Sequence, residues 1–375
     1  MNPQEKLFSS YQLGPRRLQH RVVMPPLTRL RSNPDESPSE IMVTHYGQRA
    51  SKGGLVIIEA AAVSRTGNGY QGAPALYEDG QTTGFRKIAE AVHAKGGVVF
   101  AQLTHVGRTS HVALQPGGAA PLAPSVVPYH GHAFLNGEFV PASPMREITR
   151  QEIAGIVEDF RKAVERAREA GLDGVEIHSA NGYLLDQFLQ DGSNKRTDGY
   201  GGSIENRARF LLEVAQALVS VWGPGRVGIR VGPSGTFNEM HDSNPTALFT
   251  HVAEKLNDLP LAYLHVIEPR VAGDVARENA EGEAPIASAT LRKFYRGTIL
   301  VAGGFSRETA EEILARGDAD LVAFGRSFTS NPDLPERLKN RWPLTPYDRS
   351  AFWGGTEKSY TDFAPFRTEK EAVYA

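Results

Sequence analysis

The sequence predicts an α/β fold in which eight parallel strands, each followed by a helix, close into a (β/α)8 TIM barrel. Short apolar runs rich in β-branched residues alternate with longer segments of helical periodicity, which is typical of parallel strands joined by crossover helices. Eight such runs occur, and eight strands close a barrel of this kind. They begin near Gln19, Leu55, Val98, Gly174, Val227, Leu261, Gly297 and Ala319. A doubly wound open sheet is the alternative, because periodicity alone does not distinguish an open sheet from a closed one.

The composition indicates a folded protein that needs a borrowed cofactor for any redox chemistry. The 375 residues are 40% hydrophobic and 22% charged, and barrels of this type commonly form one unit of about 250 residues or more, so we predict a single domain over residues 1–375. A net charge of −2 without a basic stripe disfavours nucleic-acid partners. No apolar run approaches about 18 residues and the N-terminus is polar, which predicts no membrane span and a cytoplasmic location. Cysteine is absent from the sequence, which excludes disulfides, thiolate nucleophiles and iron–sulfur clusters.

Two hairpins are predicted outside the barrel strands. Residues 7–22 (LFSSYQLGPRRLQHRV) are expected to form a hairpin that plugs one end of the barrel. Residues 106–148 are too long for a simple connection after the third strand and are rich in Gly, Pro and His, which is typical of a functional excursion. Asn136-Gly137, flanked by apolar runs, predicts a two-residue turn, so we expect an ordered flap over the barrel mouth.

Helix boundaries can be predicted at several connections. Thr149 begins a T-x-x-E capping box before a helix with one apolar face, and Gly171 ends that helix. Ser306 is expected to cap a helix that ends near Gly317, directly after the seventh strand. A further helix is expected to start near Asn331, after the eighth strand.

Polar and small residues gather where the predicted strands end. In a barrel these ends face the same way, and active sites are built there. The candidates are Pro26, Thr28, Glu59, Ala60, Gln102, Thr104, His105, His178, Asn181, Tyr183, Arg230, Gly303, Gly304, Gly325 and Arg326. Ordinary packing does not require so many polar side chains at strand ends, so we predict a binding site at this end of the barrel.

The ends of the seventh and eighth strands predict a phosphate site. Gly303, Gly304 and Gly325 would let backbone N–H groups approach an anion, and Arg326 adds a charged fork. The alternative is that these glycines only make tight turns. Two glycine-rich ends together with the arginine favour phosphate, because barrels of this type often bind phosphate at these two strands.

Two polar side chains lie within apolar strands and need partners. Arg230 is part of the otherwise apolar run GIRVGP, and a buried arginine requires compensation of its charge. Its partner could be the carboxylate of Glu176 in an ion pair, or an electron-rich ring such as a reduced flavin. The planar amide of Gln102 suits the imide-like edge of a pyrimidine ring, although backbone groups could satisfy it instead.

The run HSANGY after the fourth strand is the strongest local indication of chemistry. Neutral His178 and the amide of Asn181 can each donate a hydrogen bond, so together they could hold one carbonyl oxygen where negative charge develops. Tyr183 could then supply a proton. The alternatives are a structural histidine, a helix cap and a packed ring.

The histidines give no metal-binding pattern. The 11 histidines are scattered, and neither the pair His105 and His111 nor the pair His130 and His132 has further ligands at zinc-site spacing. We therefore predict no metal.

Segments along nearly the whole chain resemble, in order, the signatures of the old yellow enzyme family. They are MPPLTR (24–29), GYQGAP (69–74), AQLTHVGR (101–108), LQPGG (114–118), the stretch 178–210 that begins with HSANGY, GIRVGP (228–233), AFGR (323–326) and YTDF (360–363). The stretch 178–210 is close to diagnostic. Within the family, the chain is most similar to bacterial ene-reductases related to pentaerythritol tetranitrate reductase and glycerol trinitrate reductase.

The resemblance implies an oxidoreductase that binds FMN non-covalently and takes a hydride from NADPH or NADH. Its implied substrates are α,β-unsaturated carbonyl and nitro compounds, reduced at the activated C=C bond, and also nitrate esters. The implied cofactor contacts are Pro26, Thr28 at flavin O4, Ala60, Gln102, His178 and Arg230 near N1, with Gly303, Gly304, Gly325 and Arg326 at the phosphate. The implied substrate contacts are His178, Asn181, Tyr70, Thr104 and Tyr360, with Tyr183 as proton donor.

One departure from the resemblance concerns substrate choice. Thr104 stands where the named relatives carry a tryptophan beside the flavin, which implies a roomier pocket. A non-catalytic flavin-binding redox sensor and another FMN barrel, such as dihydrouridine synthase or dihydroorotate dehydrogenase, are the alternatives. Tyr183 beside a donor pair disfavours the sensor, and the lack of cysteine and of basic charge disfavours dihydrouridine synthase. We expect a monomer or homodimer that acts on a small molecule.

Overall fold

Eight parallel strands form a closed barrel in the computed structural model, which describes residues 5–272, 275–276 and 286–366. The barrel strands are Val22–Met24, Leu55–Ala62, Val98–Thr104, Gly174–Ser179, Val227–Val231, Tyr263–Ile267, Ile299–Ala302 and Leu321–Ala323. The first strand closes the barrel because it pairs with both the second strand and the eighth. The predicted eight-stranded closed barrel is confirmed, and the open sheet is excluded. Residues 1–4, 273–274, 277–285 and 367–375 of the predicted single domain lie outside the described residues.

The helices follow the barrel strands and cover the barrel. Their bounds are Glu40–Arg49, Asp79–His93, Arg150–Glu169, Leu184–Leu189, Ile204–Trp222, Pro245–Leu256, Ser288–Leu291, Arg307–Arg316, Gly325–Ser330 and Leu334–Asn340. Thr149 and Ser306 cap their helices through side-chain hydrogen bonds, and Gly317 ends the second of these helices at φ +79°, as predicted. Among the described helices, none is long and apolar enough to cross a membrane.

Two helices follow the eighth strand. The predicted start near Asn331 matches the helix Leu334–Asn340, but a first helix over Gly325–Ser330, directly after the strand, was not predicted. The strand ends at Ala323, and the chain turns at once into the helix past the side chain of Leu27. A Cβ on residue 325 would lie 3.2 Å from Leu27 Cδ2, a tight contact that glycine avoids. The backbone N–H groups of this first turn therefore lie at the strand ends rather than beyond them.

The N-terminal hairpin plugs the barrel at the amino ends of its strands. Tyr11–Leu13 pairs antiparallel with Arg16–Leu18. Leu13 and Leu18 are buried in one cluster with residues of the barrel interior. At the turn, a Cβ on Gly14 would come within 2.3 Å of the Gly225 carbonyl oxygen, in the loop before the fifth strand. The predicted plug is confirmed.

The flap after the third strand is an ordered hairpin. His132–Leu135 pairs with Glu138–Pro141, and the turn between them uses Asn136 at φ +53° and Gly137 at φ +84°. Phe134 bridges to Tyr70 at the barrel mouth. Two short strands, Leu122–Ala123 and Arg146–Glu147, pair at the base of the excursion, and Val271–Ala272 pairs with Val275–Ala276 elsewhere. The predicted flap over the mouth is confirmed.

The C-terminal segment after the last helix is tied to the barrel mouth by arginines. Arg29 Nε donates to the Phe352 carbonyl at 2.8 Å, and Arg31 Nε donates to the Thr356 carbonyl at 3.1 Å. Arg49 Nη2 donates to the Tyr360 carbonyl at 3.1 Å. Guanidinium groups near the first strand and on the first helix therefore fix the C-terminal segment through its backbone oxygens. The paired residues are 311 to 325 positions apart in sequence.

Replacing the cap of the helix Arg150–Glu169 tests its local stability. In Thr149→Ala the Glu152 N–H loses its acceptor, now 3.2 Å away, so the free energy of unfolding should fall by about 1 kcal/mol. Urea denaturation measures the change. Thr246→Ala, at an exposed position of another helix, is the matched control and should change the value by less than about 0.5 kcal/mol. Equal losses in the two variants would contradict the capping role.

Candidate active site

A cavity of about 350 Å³ opens at the carboxyl ends of the barrel strands. Sites for small molecules and cofactors have volumes of about 300–1,000 Å³, so the cavity falls within that range. Its lining includes Pro26, Thr28, Tyr70, Gln102, His178, Asn181, Tyr183, Arg230, Gly303, Gly304, Gly325 and Arg326. Closure of the barrel brings these residues together, although they extend from the first strand to the last. Most of the site residues predicted from the sequence therefore share one cavity.

Two further predicted residues line a small recess beside the cavity. Ala60 and Thr104 face this recess, which also includes Thr28, Tyr70 and Tyr183 from the cavity wall. The Thr104 hydroxyl is buried and has no hydrogen-bond partner among the described residues. The recess therefore adjoins Tyr70 and Tyr183 rather than the glycine-rich ends of the seventh and eighth strands.

The structure does not bring Tyr360 to the cavity. Its side chain is fully buried, and its ring stacks on His45 with centroids 3.8 Å apart. Arg29 and Arg31 lie over the same ring at 4.9 and 4.3 Å. Tyr360 therefore belongs to the arginine-bound anchor of the C-terminal segment, which local sequence cannot reveal.

The seventh and eighth strand ends form a cradle suited to an anion. Gly304 has a φ of +68°, and a Cβ there would lie 3.0 Å from Arg326 Nη2. Gly325 and Arg326 open a helix, so their N–H groups have no partner within that helix. The Arg326 guanidinium lies 5.7 Å from the Tyr347 ring and forms no ion pair with a described residue. Backbone donors and a free cation thus face the same space.

Arg230 places a positive charge on the cavity wall. It lies in register between His178 on the fourth strand and His265 on the sixth. Its Nε is buried and has no hydrogen-bond partner among the described residues, while the residue lines the cavity. Burial lowers the pKa of Arg230, and the carboxylate of Glu176 acts in the opposite direction. The guanidinium can therefore bind an electron-rich group in the cavity.

Glu176 is engaged below Arg230 by two other side chains. Its carboxylate accepts from Gln102 Nε2 at 2.7 Å and lies 2.8 Å from His265 Nδ1. Burial alone would raise the pKa of Glu176, but His265, Arg230 and the hydrogen bonds lower it below its ordinary value. The direct ion pair left open by the sequence is thus replaced by a longer-range attraction. Since Nε2 of Gln102 donates to a carboxylate, its carbonyl oxygen is available to the cavity.

His178 stands at the cavity wall as a neutral hydrogen-bond donor. Burial, with Arg230 and His265 nearby, holds the pKa of His178 well below 6.5, so the ring is uncharged at neutral pH. Its Nδ1 has no partner among the described residues, which argues against a structural histidine bonded to backbone. Asn181 is not a helix cap either, because Tyr183 precedes the helix Leu184–Leu189. A neutral imidazole and a primary amide therefore line the same wall.

Tyr183 keeps its proton at neutral pH. Its ring meets His178 edge-on with centroids 4.9 Å apart, and its hydroxyl lies 3.1 Å from the Tyr70 hydroxyl. Burial raises the pKa of Tyr183, an effect partly offset by the hydrogen bond with Tyr70 and by Arg230. A protonated hydroxyl thus stands beside the two donors.

Sequence reasoning missed the aromatic residues that cover the cavity. Phe139 comes from the flap, Phe237 from the loop after the fifth strand, and Tyr347, Phe352 and Trp353 from the C-terminal segment. Phe139 meets Trp353 edge-on at 5.1 Å, which joins the flap to the C-terminal segment. The sequence run AFWGG indicates aromatic density, but no local pattern places it at the barrel mouth.

No group of three or more His, Asp or Glu that could hold a metal ion occurs in the part of the chain that the structure describes. One histidine of each pair noted in the sequence has another partner. His105 Nε2 lies 3.2 Å from Thr66 Oγ1, and His130 Nδ1 lies 3.2 Å from Glu239.

Comparison with known proteins gives one consistent family. Residues 6–345 match the NADH:flavin oxidoreductase / NADH oxidase family. Flavin oxidoreductase hxnT of Emericella nidulans is 44% identical, over 98% of this chain and 99% of its own length. 12-Oxophytodienoate reductase 2 of Arabidopsis thaliana is 43% identical, over 95% of each chain. The structure of morphinone reductase in complex with tetrahydroNAD superposes with a TM-score of 0.90 at 44% identity, over 98% of each chain.

Removing the charge of Arg230 separates its cost in the fold from its use in the site. In Arg230→Met the cofactor-free protein should be no less stable than the parent, because an apolar side chain replaces a poorly compensated cation. The dissociation constant for FMN should rise at least about tenfold, which corresponds to about 1.4 kcal/mol. Urea denaturation and flavin fluorescence quenching measure the two values, with exposed Arg209→Met as control. Unchanged FMN affinity would contradict a role of Arg230 in binding the flavin.

Proposed function

The chain belongs to the old yellow enzyme family of FMN-dependent oxidoreductases, and we propose that it reduces the activated C=C bond of α,β-unsaturated carbonyl and nitro compounds with a hydride from NADPH or NADH. One observation carries the proposal. Two neutral donors, His178 and Asn181, and a protonated hydroxyl on Tyr183 line the same cavity as the unpartnered cation Arg230. The relatives include reductases of 12-oxophytodienoate and a morphinone reductase, which supports reduction of an activated substrate.

The cavity wall fits FMN in its charge and in its close backbone approaches. Bound FMN would accept the nicotinamide hydride and supply it to the substrate. Arg326 and the N–H groups at Gly304 and Gly325 would hold its phosphate, because they combine a free cation with backbone donors. The flavin-binding assignments also include Gly303 at the phosphate and Pro26, Thr28 and Ala60 beside the ring.

Two polar side chains would contact the pyrimidine edge of the flavin ring. Arg230 would face the side that becomes negative on reduction, which would use its free hydrogen-bonding capacity. The carbonyl oxygen of Gln102 would accept from the imide N–H, because its Nε2 is already bound to Glu176. The two residues together would fix both the charge and the orientation of the ring.

His178 and Asn181 would hold the carbonyl or nitro oxygen of the substrate. Both are uncharged donors, so they bind a ground-state oxygen without trapping it and interact more strongly as negative charge develops there. A donor of this kind typically lowers a barrier by about 3 to 4 kcal/mol. Withdrawal of electron density toward this oxygen makes the β-carbon receptive to hydride.

Tyr183 would give its proton to the α-carbon as the hydride arrives at the β-carbon. Its raised pKa keeps the proton in place until the α-carbon becomes basic. Tyr70, whose hydroxyl lies 3.1 Å away, would orient the hydroxyl of Tyr183 and line the substrate space. Thr104 in the adjoining recess would give room for a substituent. Nitrate esters could be reduced in the same cavity without a proton on carbon.

Tyr183→Phe should divide the catalytic cycle into an affected and an unaffected half. FMN content and flavin reduction by the nicotinamide should stay close to the parent values, since only a hydroxyl is lost. Oxidation of the reduced flavin by 2-cyclohexenone should slow by about 10²- to 10⁴-fold, the usual contribution of a general acid. Oxidation of the reduced flavin by a nitrate ester should keep its parent rate. Stopped-flow measurement of both half-reactions, with Tyr11→Phe at the opposite end of the barrel as control, separates the effects.

Equal slowing of both half-reactions would contradict the proton-donor role and indicate that Tyr183 packs the cavity. A protein that binds FMN but turns over no enone with either nicotinamide would instead support a flavin-binding sensor.

Phenols test the donor pair directly, because a phenolate oxygen should accept from both residues while its ring stacks on the oxidised flavin. The complex should show a long-wavelength charge-transfer band. His178→Ala and Asn181→Ala should each weaken phenol binding at least about tenfold, since a hydrogen bond to a charged oxygen is worth about 1.5 to 3 kcal/mol. Full phenol affinity in the double variant, at unchanged FMN content, would show that these residues have another role.

A further inference from the structure

Asn181 has a backbone conformation that needs outside support. Its φ is +58°, in the left-handed region that asparagine tolerates but does not prefer. Asn238 and Glu239, on the loop after the fifth strand, have φ values of +56° and +60°. Such conformations persist where surrounding contacts impose them, and they concentrate at functional sites. Two loops of unusual backbone therefore lie beside the cavity wall.

A side-chain hydrogen bond connects these two loops. Asn238 Nδ2 donates to the Asn181 carbonyl oxygen at 2.9 Å. The loops are also in direct contact, because a Cβ on Gly182 would lie 2.6 Å from the Asn238 Cβ. The carbonyl of Asn181 is thereby fixed, and with it the backbone from which the Asn181 amide extends toward the cavity.

The side-chain oxygen of Asn238 faces the flap excursion, which comprises residues 106–148 after the third strand. Tyr129 donates its hydroxyl hydrogen to Asn238 Oδ1 at 3.1 Å. Arg108 Nη2 donates to the Asn238 backbone carbonyl at 3.0 Å, and the Arg108 guanidinium lies 4.2 Å from the Tyr129 ring centroid. One asparagine thus uses its donor toward Asn181 and its acceptor toward the flap excursion.

We propose that Asn238 is a positioning residue, which orients Asn181 for the substrate oxygen and connects that donor to the flap excursion through Tyr129. The proposal rests on the proposed function of Asn181 as a substrate donor. Phe237, the neighbour of Asn238, lines the cavity, so the same loop contacts both the flap excursion and the ligand space. A change in the flap excursion can therefore reach the donor through one side chain.

Two isosteric substitutions each break one of the two connections of Asn238, although Tyr129→Phe also removes the hydrogen bond between the Tyr129 hydroxyl and Thr109 Oγ1. Asn238→Asp keeps an oxygen for the Tyr129 hydroxyl but puts a second oxygen where the donor to Asn181 was. Tyr129→Phe removes the hydroxyl and leaves the ring beneath Arg108. Asn238→Gly, which suits the positive φ, is a second variant that removes the bridge should the aspartate fail to fold.

The test is the phenol dissociation constant of the FMN-loaded protein, read from the charge-transfer band, with FMN affinity of the cofactor-free protein as the second readout. Asn238→Asp should weaken phenol binding at least about tenfold and Tyr129→Phe by a smaller factor, with FMN affinity unchanged. In an Asn181→Ala background, the uncharged variant Asn238→Gly should cause no further loss, because the bridge acts through Asn181.

The outcomes distinguish the proposal from the function on which it rests. If Asn181→Ala weakens phenol binding but Asn238→Asp does not, the positioning role alone is overturned. It is also overturned if the two losses add, or if FMN affinity falls equally. If Asn181→Ala leaves phenol affinity unchanged, the substrate role of Asn181 and the positioning role both fail.

Discussion

The charge of Arg230 inside a closed barrel is the constraint on which the arrangement of the site depends. This guanidinium is attracted by the carboxylate of Glu176, which is itself already bound by Gln102 and His265. Its free side therefore faces the cavity at the strand ends. The attraction of Glu176 offsets part of the cost of this cation, and an electron-rich ligand in the cavity, such as the reduced flavin ring of the proposed function, would offset more of it.

The rest of the site follows from barrel closure around that charge. Register puts His178 beside Arg230, and the positive charge together with burial keeps the imidazole neutral and able to donate. The same cation partly offsets the burial that raises the pKa of Tyr183. The glycine cradle lies on the seventh and eighth strands, so in the proposed function the phosphate, the flavin ring and the substrate would occupy successive parts of one cavity. The flap excursion and C-terminal segment then cover it with aromatic side chains.

The sequence allows prediction of those features that depend on local residue patterns and on the order of the strands. Eight apolar runs gave the strands, Thr149 and Ser306 gave helix caps, and Asn136-Gly137 gave the flap turn. Convergence of strand ends then placed His178, Arg230 and Arg326 in one cavity without further information. Contacts between distant segments could not be predicted in this way. Tyr360 is held away from the cavity by arginine bonds to carbonyls over 300 residues distant, and the bridge of Asn238 depends on how three loops pack.

The most direct test of the account is the visible absorption spectrum of the purified protein, together with identification of any chromophore released by heat. The account predicts flavin absorption bands and release of FMN in an equimolar amount, because the family binds FMN and the cradle, Arg230 and Gln102 would hold it. A colourless protein that takes up no FMN on reconstitution would contradict it.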